Sequence, residues 1–579
     1  MIRTARLGMT MFISLFFFSF VAGRLGYLQL YCHDALQARV DREESRSQRA
    51  SPDIEPRGAI LDRTGEVLAM SIQGGACFAD PKHVTKVDET ARLLSPYLHQ
   101  PASVIKSKLT EHRRFVWLAR RLDPEAAEQV KALKRTGITV TNDIKRFYPE
   151  ESLASQVLGV VGDSQKGLSG VELVANSWLS GDSAPNLFKQ WTFGKARPSA
   201  LTSRSDLTSH SIVLSIDRTL QTIVEQELAI QMKLSRPKSG TVIIQDPQTG
   251  EILAMATSPS FNPNLWGSPE QPSEMGPEDL KNPAVEHVFE PGSTFKVVTA
   301  AAALEENRVT PSDTFFCENG SWDIPGRTIH DHEKEGWLTF TQVIARSSNI
   351  GTAKVARRVG RDPLYRYARA FGFGMPTGCG LPGDGVGILR PTKDWRLSSL
   401  ETISFGQEVG ATPLQMVNAY SVIANGGWLL EPRLYKGVID ENGEYREWLP
   451  TPPIRRVVSP KTIAELKLIL KSVVDEGTGK AAQVVGISVA GKTGTAQKID
   501  PRTKQYSDAH YLASFCGFAP VEHPRLVIGV FLDEPQNSYW GGSEAAPLFS
   551  RILKHAAPYL KLQPETFGPL AASRIVTRS

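Results

Sequence analysis

Cysteine is scarce in this sequence, and its spacing suggests no pairing. The five cysteines are Cys32, Cys77, Cys317, Cys379 and Cys516, and no C-x-x-C occurs among the 579 residues. An odd number without regular spacing indicates neither a disulfide framework nor a zinc site. The sequence leaves open whether one pair forms outside the cytoplasm. The segment His330-Asp-His332 has no third metal ligand at suitable spacing, so we predict a polar loop there and no metal.

An excess of charge of one sign is also lacking. The 66 Lys and Arg residues and 61 Asp and Glu residues leave a formal net charge of +5, with no dense basic tract. This pattern does not predict nucleic-acid binding. The 22% of charged and 41% of apolar residues are ordinary values, which exclude disordered, collagen-like and disulfide-scaffold classes. The mean hydropathy of −0.22 excludes a polytopic membrane protein. The length suggests roughly two to four domains.

One long apolar run stands at the N-terminus. Seventeen uncharged residues follow Arg6, and they would extend about 26 Å as a helix, the short end of a membrane span. Arg3 and Arg6 favour a cytoplasmic N-terminus. A cleaved signal peptide, a lipoprotein site at Cys32 and a buried core helix are the alternatives. No A-x-A site follows, and the residue before Cys32 is bulky where a small one is needed. We predict a cytoplasmic segment at 1–6 and an uncleaved transmembrane anchor at 7–24, with the remaining chain outside the cytoplasm.

The remaining chain divides by composition. A charged and polar juxtamembrane stalk at 25–56 precedes a domain at 57–205 in which short β-like runs alternate with amphipathic helices. A Ser- and Thr-rich linker then leads into a larger mixed α/β domain at 206–560, and 561–579 form a short tail. No internal repeat occurs.

Two β-like runs in the larger domain, 240–246 and 251–257, are joined by the turn Pro247-Gln-Thr-Gly250. A short turn between two strands predicts a hairpin, so the sheet is expected to be antiparallel at least here. In the smaller domain we predict a helix at 124–133 and a strand at 138–142.

A serine and a lysine three residues apart open a strongly helix-forming stretch, in Ser293-Thr-Phe-Lys296. Residues at i and i+3 share one face of a helix, so the two side chains can touch. Serine needs a base to become a nucleophile, and a lysine can be that base when burial or nearby positive charge lowers its pKa. A helix N-terminus also favours negative charge on the serine oxygen. The pattern alone is weak, because Ser103-Val-Ile-Lys106 and Ser235-Arg-Pro-Lys238 share it.

Two further short motifs follow in the same domain. Ser347-Ser348-Asn349 begins 54 residues after Ser293, and Lys492-Thr493-Gly494-Thr495 begins 199 residues after it, within a β-like run. A glycine inside a strand leaves room for close approach to the backbone. Such a strand could take a substrate as an added β-strand.

The last motif also fits a phosphate-binding loop, since Gly486-Ile-Ser-Val-Ala-Gly-Lys-Thr493 matches G-x-x-x-x-G-K-T. A phosphate loop needs a helix directly after its Lys-Thr, so that the helix N-terminus meets the phosphates. Gly494, Thr495 and Pro501 follow instead, and the preceding residues are β-like. We therefore do not expect an ATPase.

The order and spacing of S-x-x-K, S-x-N and K-T-G together resemble the penicillin-binding proteins and serine β-lactamases. The resemblance extends to blocks typical of class B penicillin-binding proteins, over roughly residues 24–560. These blocks are Arg24-Leu-Gly-Tyr-Leu-Gln29, Arg57-Gly-Ala-Ile-Leu-Asp62-Arg63, Arg146-Phe-Tyr-Pro149, Gly167-Leu-Ser-Gly-Val-Glu172, Phe405-Gly-Gln407 and Tyr539-Trp-Gly-Gly542.

The resemblance implies a fold class. It implies a mixed α/β transpeptidase domain of the serine β-lactamase-like kind, an antiparallel sheet with helices on both sides. This domain would lie behind an elongated, non-catalytic α+β pedestal at 57–205 and one transmembrane helix. No separate glycosyltransferase domain is apparent before residue 210, so sugar polymerisation is not expected.

The resemblance also implies the site residues. Ser293 would attack the penultimate D-Ala of a stem peptide, Lys296 would take its proton, and Ser347 would relay a proton to the leaving D-Ala. Asn349 would hold Lys296 and the donor backbone. Lys492, Thr493 and Thr495 would bind the terminal carboxylate, with Ser348 and Gly494 as further substrate-binding residues. The backbone N–H groups of Ser293 and Thr495 would form the oxyanion hole. Neither metal nor organic cofactor is implied.

Within class B, the sequence is most similar to the division-type transpeptidase, with elongation-type and sporulation-type enzymes as alternatives. A serine β-lactamase, a β-lactam sensor and a non-enzymatic wall-synthesis scaffold remain rival functions. The implied partners are peptidoglycan stem peptides, the lipid-linked precursor polymer, β-lactam antibiotics, a membrane glycosyltransferase and other division proteins. The implied location is the inner membrane, with the catalytic domain on the periplasmic side.

Overall fold

The structure is a computed structural model that describes residues 56–111, 115–162, 164–181, 210–268, 271–273, 275–440, 442–500, 502–503 and 505–562. The predicted anchor at 7–24, the stalk and Cys32 lie outside these residues, as does almost all of the predicted linker and tail. Among the helices within the described ranges, none is both long enough and apolar enough to cross a membrane.

Strands and α-helices are numbered here in chain order. The strands are β1 (Ile60–Leu61), β2 (Val67–Ala79), β3 (Val116–Leu122), β4 (Ile138–Phe147), β5 (Ser211–Leu214), β6 (Ser239–Gln245), β7 (Ile252–Ser258), β8 (Thr314–Phe316), β9 (Ser321–Ile324), β10 (Arg327–His330), β11 (Trp337–Thr339), β12 (Trp428–Leu429), β13 (Tyr435–Ile439), β14 (Tyr445–Glu447), β15 (Arg455–Arg456), β16 (Ala490–Ile499), β17 (Tyr506–Ala519) and β18 (Leu526–Asp533). The helices are α1 (Val87–Leu98), α2 (Ala102–Leu109), α3 (Pro124–Ala132), α4 (Ser155–Leu158), α5 (Gly170–Val174), α6 (Asn176–Ser180), α7 (Arg218–Ser235), α8 (Pro283–Glu286), α9 (Lys296–Glu305), α10 (Phe340–Ala345), α11 (Asn349–Val359), α12 (Arg361–Ala370), α13 (Ser399–Ser404), α14 (Pro413–Ala424), α15 (Pro460–Asp475) and α16 (Gly541–Tyr559).

The first of two compact units comprises Ile72–Lys145 among the described residues. In it, the second half of β2 pairs antiparallel with β3, and α1, α2 and α3 pack around an apolar core that includes Leu94, Leu118 and Val130. The sequence prediction of a helix followed by a strand is confirmed by α3 and β4, which are separated by the left-handed Gly137 (φ +79°).

The second unit comprises Arg57–Ser71 and the chain from Arg146 onward. Its centre is a five-stranded sheet in the order β16-β17-β18-β6-β7, with every neighbouring pair antiparallel. The predicted hairpin at 240–257 is confirmed as β6 and β7. Thus the sheet is antiparallel throughout, as the resemblance implied.

Helices cover both faces of this sheet, because alternate residues along each strand point to opposite sides. On β6, Val242 and Ile244 pack in the core formed with α7 and α16, whereas Ile243 belongs to the core that contains α9 and α14. On β18, Ile528 packs in the core formed with α7 and α16, and Val527 packs in the core that contains α9 and α14. The sequence prediction of a mixed α/β fold with helices on both sides is confirmed.

A buried ion-pair network within the second unit joins one residue from each of three sequence blocks, Arg57, Arg146 and Glu172. Glu172, which is 0% exposed, accepts hydrogen bonds from Arg57 Nε at 2.6 Å and Arg146 Nε at 2.7 Å. Burial alone would raise the pKa of Glu172, but the two guanidinium groups more than reverse this and lower the pKa below its ordinary value. Glu172 therefore acts as a structural anion.

The described cysteines are unpaired thiols. Cys77, Cys317, Cys379 and Cys516 are all buried and free, so none of these four forms a disulfide. Within the described residues, no group of three or more His, Cys, Asp and Glu side chains could hold a metal ion.

Candidate active site

Ser293 lies in a tight turn that leads into α9. Residues Gly292–Phe295 form one turn of 3₁₀-helix, and Lys296 begins the α-helix, so the helix-forming stretch that opens at Ser293 starts with a narrower turn. Gly292 has φ +54°, which favours glycine, and its N–H donates to Gly406 O at 3.2 Å. A Cβ on Gly406 would lie 2.2 Å from Gly292 O, which explains a glycine in the Phe405-Gly-Gln407 block.

Ser293 is half-buried and faces a cavity of about 120 Å³. Four elements or loops contribute to the walls of this cavity. The lining residues are Glu290, Gly292, Ser293, Asn349, Phe405, Gly406, Gln407, Thr495, Ala496 and Gln497. The structure therefore brings Ser293, Asn349 and Thr495, one residue from each sequence motif, to a single cavity.

Lys296 is enclosed completely, with 0% exposure. Its Nζ donates hydrogen bonds to Ser347 O at 2.5 Å and to Ser347 Oγ at 3.2 Å. Burial lowers the pKa of Lys296 to about 7, although the nearby Asp331 and Cys317 act in the opposite direction. A substantial neutral fraction at neutral pH is what a lysine needs to accept a proton.

Ser347 adopts a backbone conformation that is unusual for serine. Its φ of +63° lies in the left-handed region, which costs about 1–2 kcal/mol for an ordinary residue. The turn aims both the carbonyl and the hydroxyl of Ser347 at Lys296. Strain of this kind persists where the surrounding structure fixes it.

Ser348 and Asn349 begin α11. The Ser348 hydroxyl caps the helix, accepting from the Gly351 N–H at 2.8 Å, and only 3% of Ser348 is exposed. The Asn349 side-chain amide donates to His330 O at 3.0 Å. The described hydrogen bonds of Asn349 do not include one to Lys296, so its predicted role in holding Lys296 stays a prediction.

Lys492 lies on β16, the edge strand of the central sheet, and is 0% exposed. Its Nζ donates to Thr493 O at 3.1 Å and Thr493 Oγ1 at 3.3 Å. Burial, and secondly the positive charge of Lys296, hold the pKa of Lys492 well below its ordinary value. The positive charge of Lys492 was expected to lower the pKa of Lys296. Instead, burial lowers the pKa of Lys296, and the charge effect between the two lysines acts on Lys492.

β16 continues as a strand to Ile499. No helix follows Lys492 and Thr493, so the chain lacks the helix N-terminus that a phosphate loop needs, and the phosphate-loop interpretation is excluded.

The two threonines of the third motif make side-chain hydrogen bonds of their own. Thr493 Oγ1 lies 2.6 Å from Thr478 Oγ1, and Thr495 Oγ1 accepts from the Gly541 N–H at 3.1 Å.

Gly494 is required by close packing. A Cβ at this position would lie 2.4 Å from Ser514 Oγ and 2.9 Å from Thr294 Cγ2. The turn that carries Ser293 and the strand β16 can therefore approach each other only because residue 494 lacks a side chain. In the part of the chain that the structure describes, β16 is an edge strand of this sheet, and β17 is the strand beside it. The oxyanion-hole assignment of Ser293 and Thr495 stays a prediction.

Asp331 is the residue that sequence reasoning missed. The segment His330-Asp-His332 was expected to be only a polar loop, yet the Asp331 carboxylate accepts from Ser348 Oγ at 2.5 Å and from the Asn349 N–H at 2.5 Å. Its position in the chain, 16 residues before Ser347, carries no motif that signals this contact.

Glu290 was also missed as part of the site. Its Oε1 accepts from the Glu408 N–H at 2.8 Å and from the Tyr506 hydroxyl at 3.1 Å, and burial raises the pKa of Glu290. Glu290 lies three residues before Ser293, outside the three short motifs.

Comparisons with known proteins agree with this geometry. Residues 240–554 match the penicillin binding protein transpeptidase domain, and residues 53–196 match the penicillin-binding protein dimerisation domain. A probable peptidoglycan D,D-transpeptidase, PbpC of Pseudomonas aeruginosa, is 34% identical over 96% of this chain and 95% of its own length. Peptidoglycan D,D-transpeptidase FtsI of Escherichia coli is 30% identical over 94% and 90% of the respective chains.

A solved structure is similar over most of its length. The crystal structure of penicillin binding protein 3 from Mycobacterium tuberculosis, complexed with aztreonam, is 30% identical, with a TM-score of 0.68, and covers 89% of this chain and 98% of that one. Sequence, fold and the meeting of three motifs at one cavity agree, and the chain belongs to the class B penicillin-binding proteins, with relatives of the FtsI and penicillin binding protein 3 type.

Proposed function

We propose that this protein cross-links peptidoglycan stem peptides by acyl transfer through a Ser293 acyl-enzyme, in septal wall synthesis. The observation that carries the proposal is the state of Lys296. It follows the cavity-lining Ser293 by three residues, is fully buried, and has a pKa of about 7 because of that burial. A buried base beside a serine that faces a cavity fits nucleophilic catalysis.

In the first half-reaction, neutral Lys296 takes the Ser293 hydroxyl proton as the serine oxygen attacks the carbonyl carbon of the penultimate D-Ala. The carbonyl oxygen becomes an oxyanion, which the N–H groups of Ser293 and Thr495 stabilise. One such donor typically contributes about 2.7–4 kcal/mol in the transition state. The C–N bond then breaks, and the terminal D-Ala leaves with a proton relayed through Ser347, which Lys296 contacts.

In the second half-reaction, the amine of a neighbouring stem peptide attacks the acyl carbon. The amine loses a proton to the catalytic lysine, the ester bond to Ser293 breaks, and the serine oxygen regains a proton. The cross-link and the free enzyme are the products. A β-lactam would enter the same first step, but its amide nitrogen stays attached after ring opening, so the adduct lacks a separate leaving group.

Acyl-enzyme lifetime distinguishes this proposal from a serine β-lactamase. With a penicillin, we expect an adduct that persists over the assay, whereas rapid turnover would favour the β-lactamase. With lipid-linked polymer as substrate, release of D-Ala together with cross-linked product tests the transpeptidase reaction itself. A Ser293→Ala chain that fully complemented a depletion strain would favour the scaffold function.

The predicted location and cellular role belong to the same proposal. The chain would be held in the inner membrane by the 7–24 segment, with the catalytic domain outside the cytoplasm and with a membrane glycosyltransferase and other division proteins as partners. Depletion is expected to produce filaments with unfinished septa, and rounded cells would indicate the elongation-type alternative. Periplasmic protease accessibility of the catalytic domain in spheroplasts tests the orientation.

A further inference from the structure

Asp331 forms a three-point clamp on the residues that follow Ser347. Its Oδ2 accepts from Ser348 Oγ at 2.5 Å, and its Oδ1 accepts from the N–H groups of Asn349 at 2.5 Å and Ile350 at 3.0 Å. These two N–H groups belong to the first turn of α11, whose positive end a carboxylate complements. The clamp thus fixes where α11 begins.

Ser347 immediately precedes this clamp. Its left-handed φ of +63° turns its carbonyl and hydroxyl towards Lys296. On the other side of the turn, the Ser347 N–H donates to Ile344 O at 3.2 Å. A serine in this conformation needs fixed neighbours at both ends. Asp331 provides the fixed end that follows Ser347.

We propose that Asp331 is a positioning residue for acyl transfer, which holds the turn at Ser347 so that both oxygens of Ser347 face Lys296. The inference rests on the proposed function, because it takes Lys296 as the base for Ser293. Asp331 acts through Ser348 and Ser347. Of the cavity-lining residues its described hydrogen bonds reach only the backbone N–H of Asn349, and none of them reaches the serine nucleophile.

Asp331 also acts on Lys296 through its charge. Burial lowers the pKa of Lys296, and the Asp331 carboxylate raises it in part, as does the Cys317 thiol. Lys492 also lies near enough to Lys296 for their charges to interact, and this interaction lowers the pKa of Lys492. Removing the charge of Asp331 therefore lowers the pKa of Lys296 further. Because the neutral amine is the reactive form, the acidic limb of the acylation rate moves to lower pH.

Two substitutions separate position from charge. Asp331→Asn nearly preserves the shape and one acceptor oxygen but removes the charge, whereas Asp331→Glu keeps the charge but displaces the carboxylate.

Asp323→Asn is the matched control. Asp323 lies on β9 of the same hairpin region, and among the described contacts its Oδ1 accepts only from Thr328. The measurement is the acylation rate constant of the full chain with a fluorescent penicillin between pH 5 and 9, with Tm alongside.

The amide of Asp331→Asn replaces one of the two acceptor oxygens of the clamp by a donor, so we expect it to lower the maximal acylation rate constant about 10- to 100-fold. The lost charge is expected to shift the acidic limb to lower pH. Asp331→Glu is expected to have a lower maximal acylation rate constant, with the acidic limb at nearly the same pH as in the original protein. Asp323→Asn should match the original protein in both the rate constant and the pH of the limb.

Three results would overturn the inference. The first is an unchanged rate and limb in Asp331→Asn. The second is a loss of rate and Tm at every pH with no shift of the limb, which is the effect of a merely structural residue. The third result applies if Asp331→Asn does not fold: in that case, an acylation rate constant of Asp331→Glu equal to that of the original protein would overturn the inference. Failure of the unsubstituted chain to be acylated at Ser293 would instead overturn the proposed function.

Discussion

The Lys296 amino group donates a hydrogen bond to the Ser347 carbonyl oxygen at 2.5 Å from a side chain that is 0% exposed. A carbonyl accepts from a neutral amine as well as from an ammonium group, so the contact holds in both protonation states. A neutral amine has two hydrogens and one lone pair. The two oxygens of Ser347 can accept these hydrogens, which leaves the lone pair free to take a proton, and in the proposed reaction that proton comes from Ser293.

Replacing Lys296 by methionine is expected to stabilise the fold while abolishing acylation. Burial lowers the pKa of Lys296 from 10.5 to about 7, so the folded state pays a cost that is largest below pH 7, where the buried amine is protonated, and still large at pH 7. We expect Lys296→Met to raise the free energy of unfolding by about 1–4 kcal/mol at pH 7, measured by urea denaturation.

The stability gained by Lys296→Met is expected to shrink as the pH rises above 7. The unfolded chain binds one more proton than the folded chain between about pH 7 and 10.5, so the penalty fades as the pH rises through that window. The difference in the free energy of unfolding between Lys296→Met and the original protein should shrink over the same range.

Lys106→Met is the control for this prediction. Lys106 is half exposed in a surface pair with Asp88, so its replacement should change the free energy of unfolding by less than about 1 kcal/mol. A destabilised Lys296→Met protein would contradict the buried-base account.

Gly494→Ala is expected to damage both packing and catalysis. The added Cβ would lie 2.4 Å from Ser514 Oγ and 2.9 Å from Thr294 Cγ2, so β16 must move away from the Ser293 turn. We expect a loss of about 1–3 kcal/mol in the free energy of unfolding. The acylation rate constant should fall by about 100-fold, because reacting groups displaced by about 1 Å react that much more slowly.

Gly276→Ala is the matched control for that change, since a Cβ at Gly276 meets nothing within 4 Å. It should acylate at the original rate. If Gly494→Ala did so as well, the close approach of strand and turn would not be needed for the reaction.

Glu172→Gln is expected to destabilise the second unit by about 3–5 kcal/mol at neutral pH, because two buried guanidinium groups lose their counterion. The lowered pKa of Glu172 means that its ionised form stabilises the fold above about pH 4.5. That contribution is lost as the pH falls through the lower folded-state value.

The difference between Glu172→Gln and the original protein should therefore narrow in acid. Thermal unfolding from pH 3 to 8 measures this difference, with the exposed Glu128→Gln as the control. Equal stabilities of Glu172→Gln and the original protein at pH 7 would show that the network contributes nothing.

The fold and the meeting of the three motifs at one cavity could be predicted from the sequence, because their signals are local or ordered along the chain. The pattern of Ser293 and Lys296 needs only one helical turn, and the hairpin of β6 and β7 needs only a short turn between two strands. The order of three motifs then suggested the domain in which they meet.

Other parts of the site depend on contacts that no local pattern shows. Asp331 reaches Ser348 because β10 ends beside α11, and Glu290 accepts from Glu408 and Tyr506, 118 and 216 residues later in the chain. The left-handed backbone at Ser347 is equally invisible in a serine-rich segment. These features arise from tertiary packing, which fixes burial and therefore the pKa of Lys296.

The central claim is that Ser293, and no other serine, forms the acyl-enzyme. Intact-mass analysis of the full chain after penicillin treatment, with peptide mapping, measures this directly. The matched variants are Ser293→Ala and Ser103→Ala, because Ser103 heads another S-x-x-K pattern and is exposed. We expect one adduct on the Ser293 peptide in the original protein and in Ser103→Ala, and none in Ser293→Ala. A covalent adduct on Ser293→Ala would contradict it.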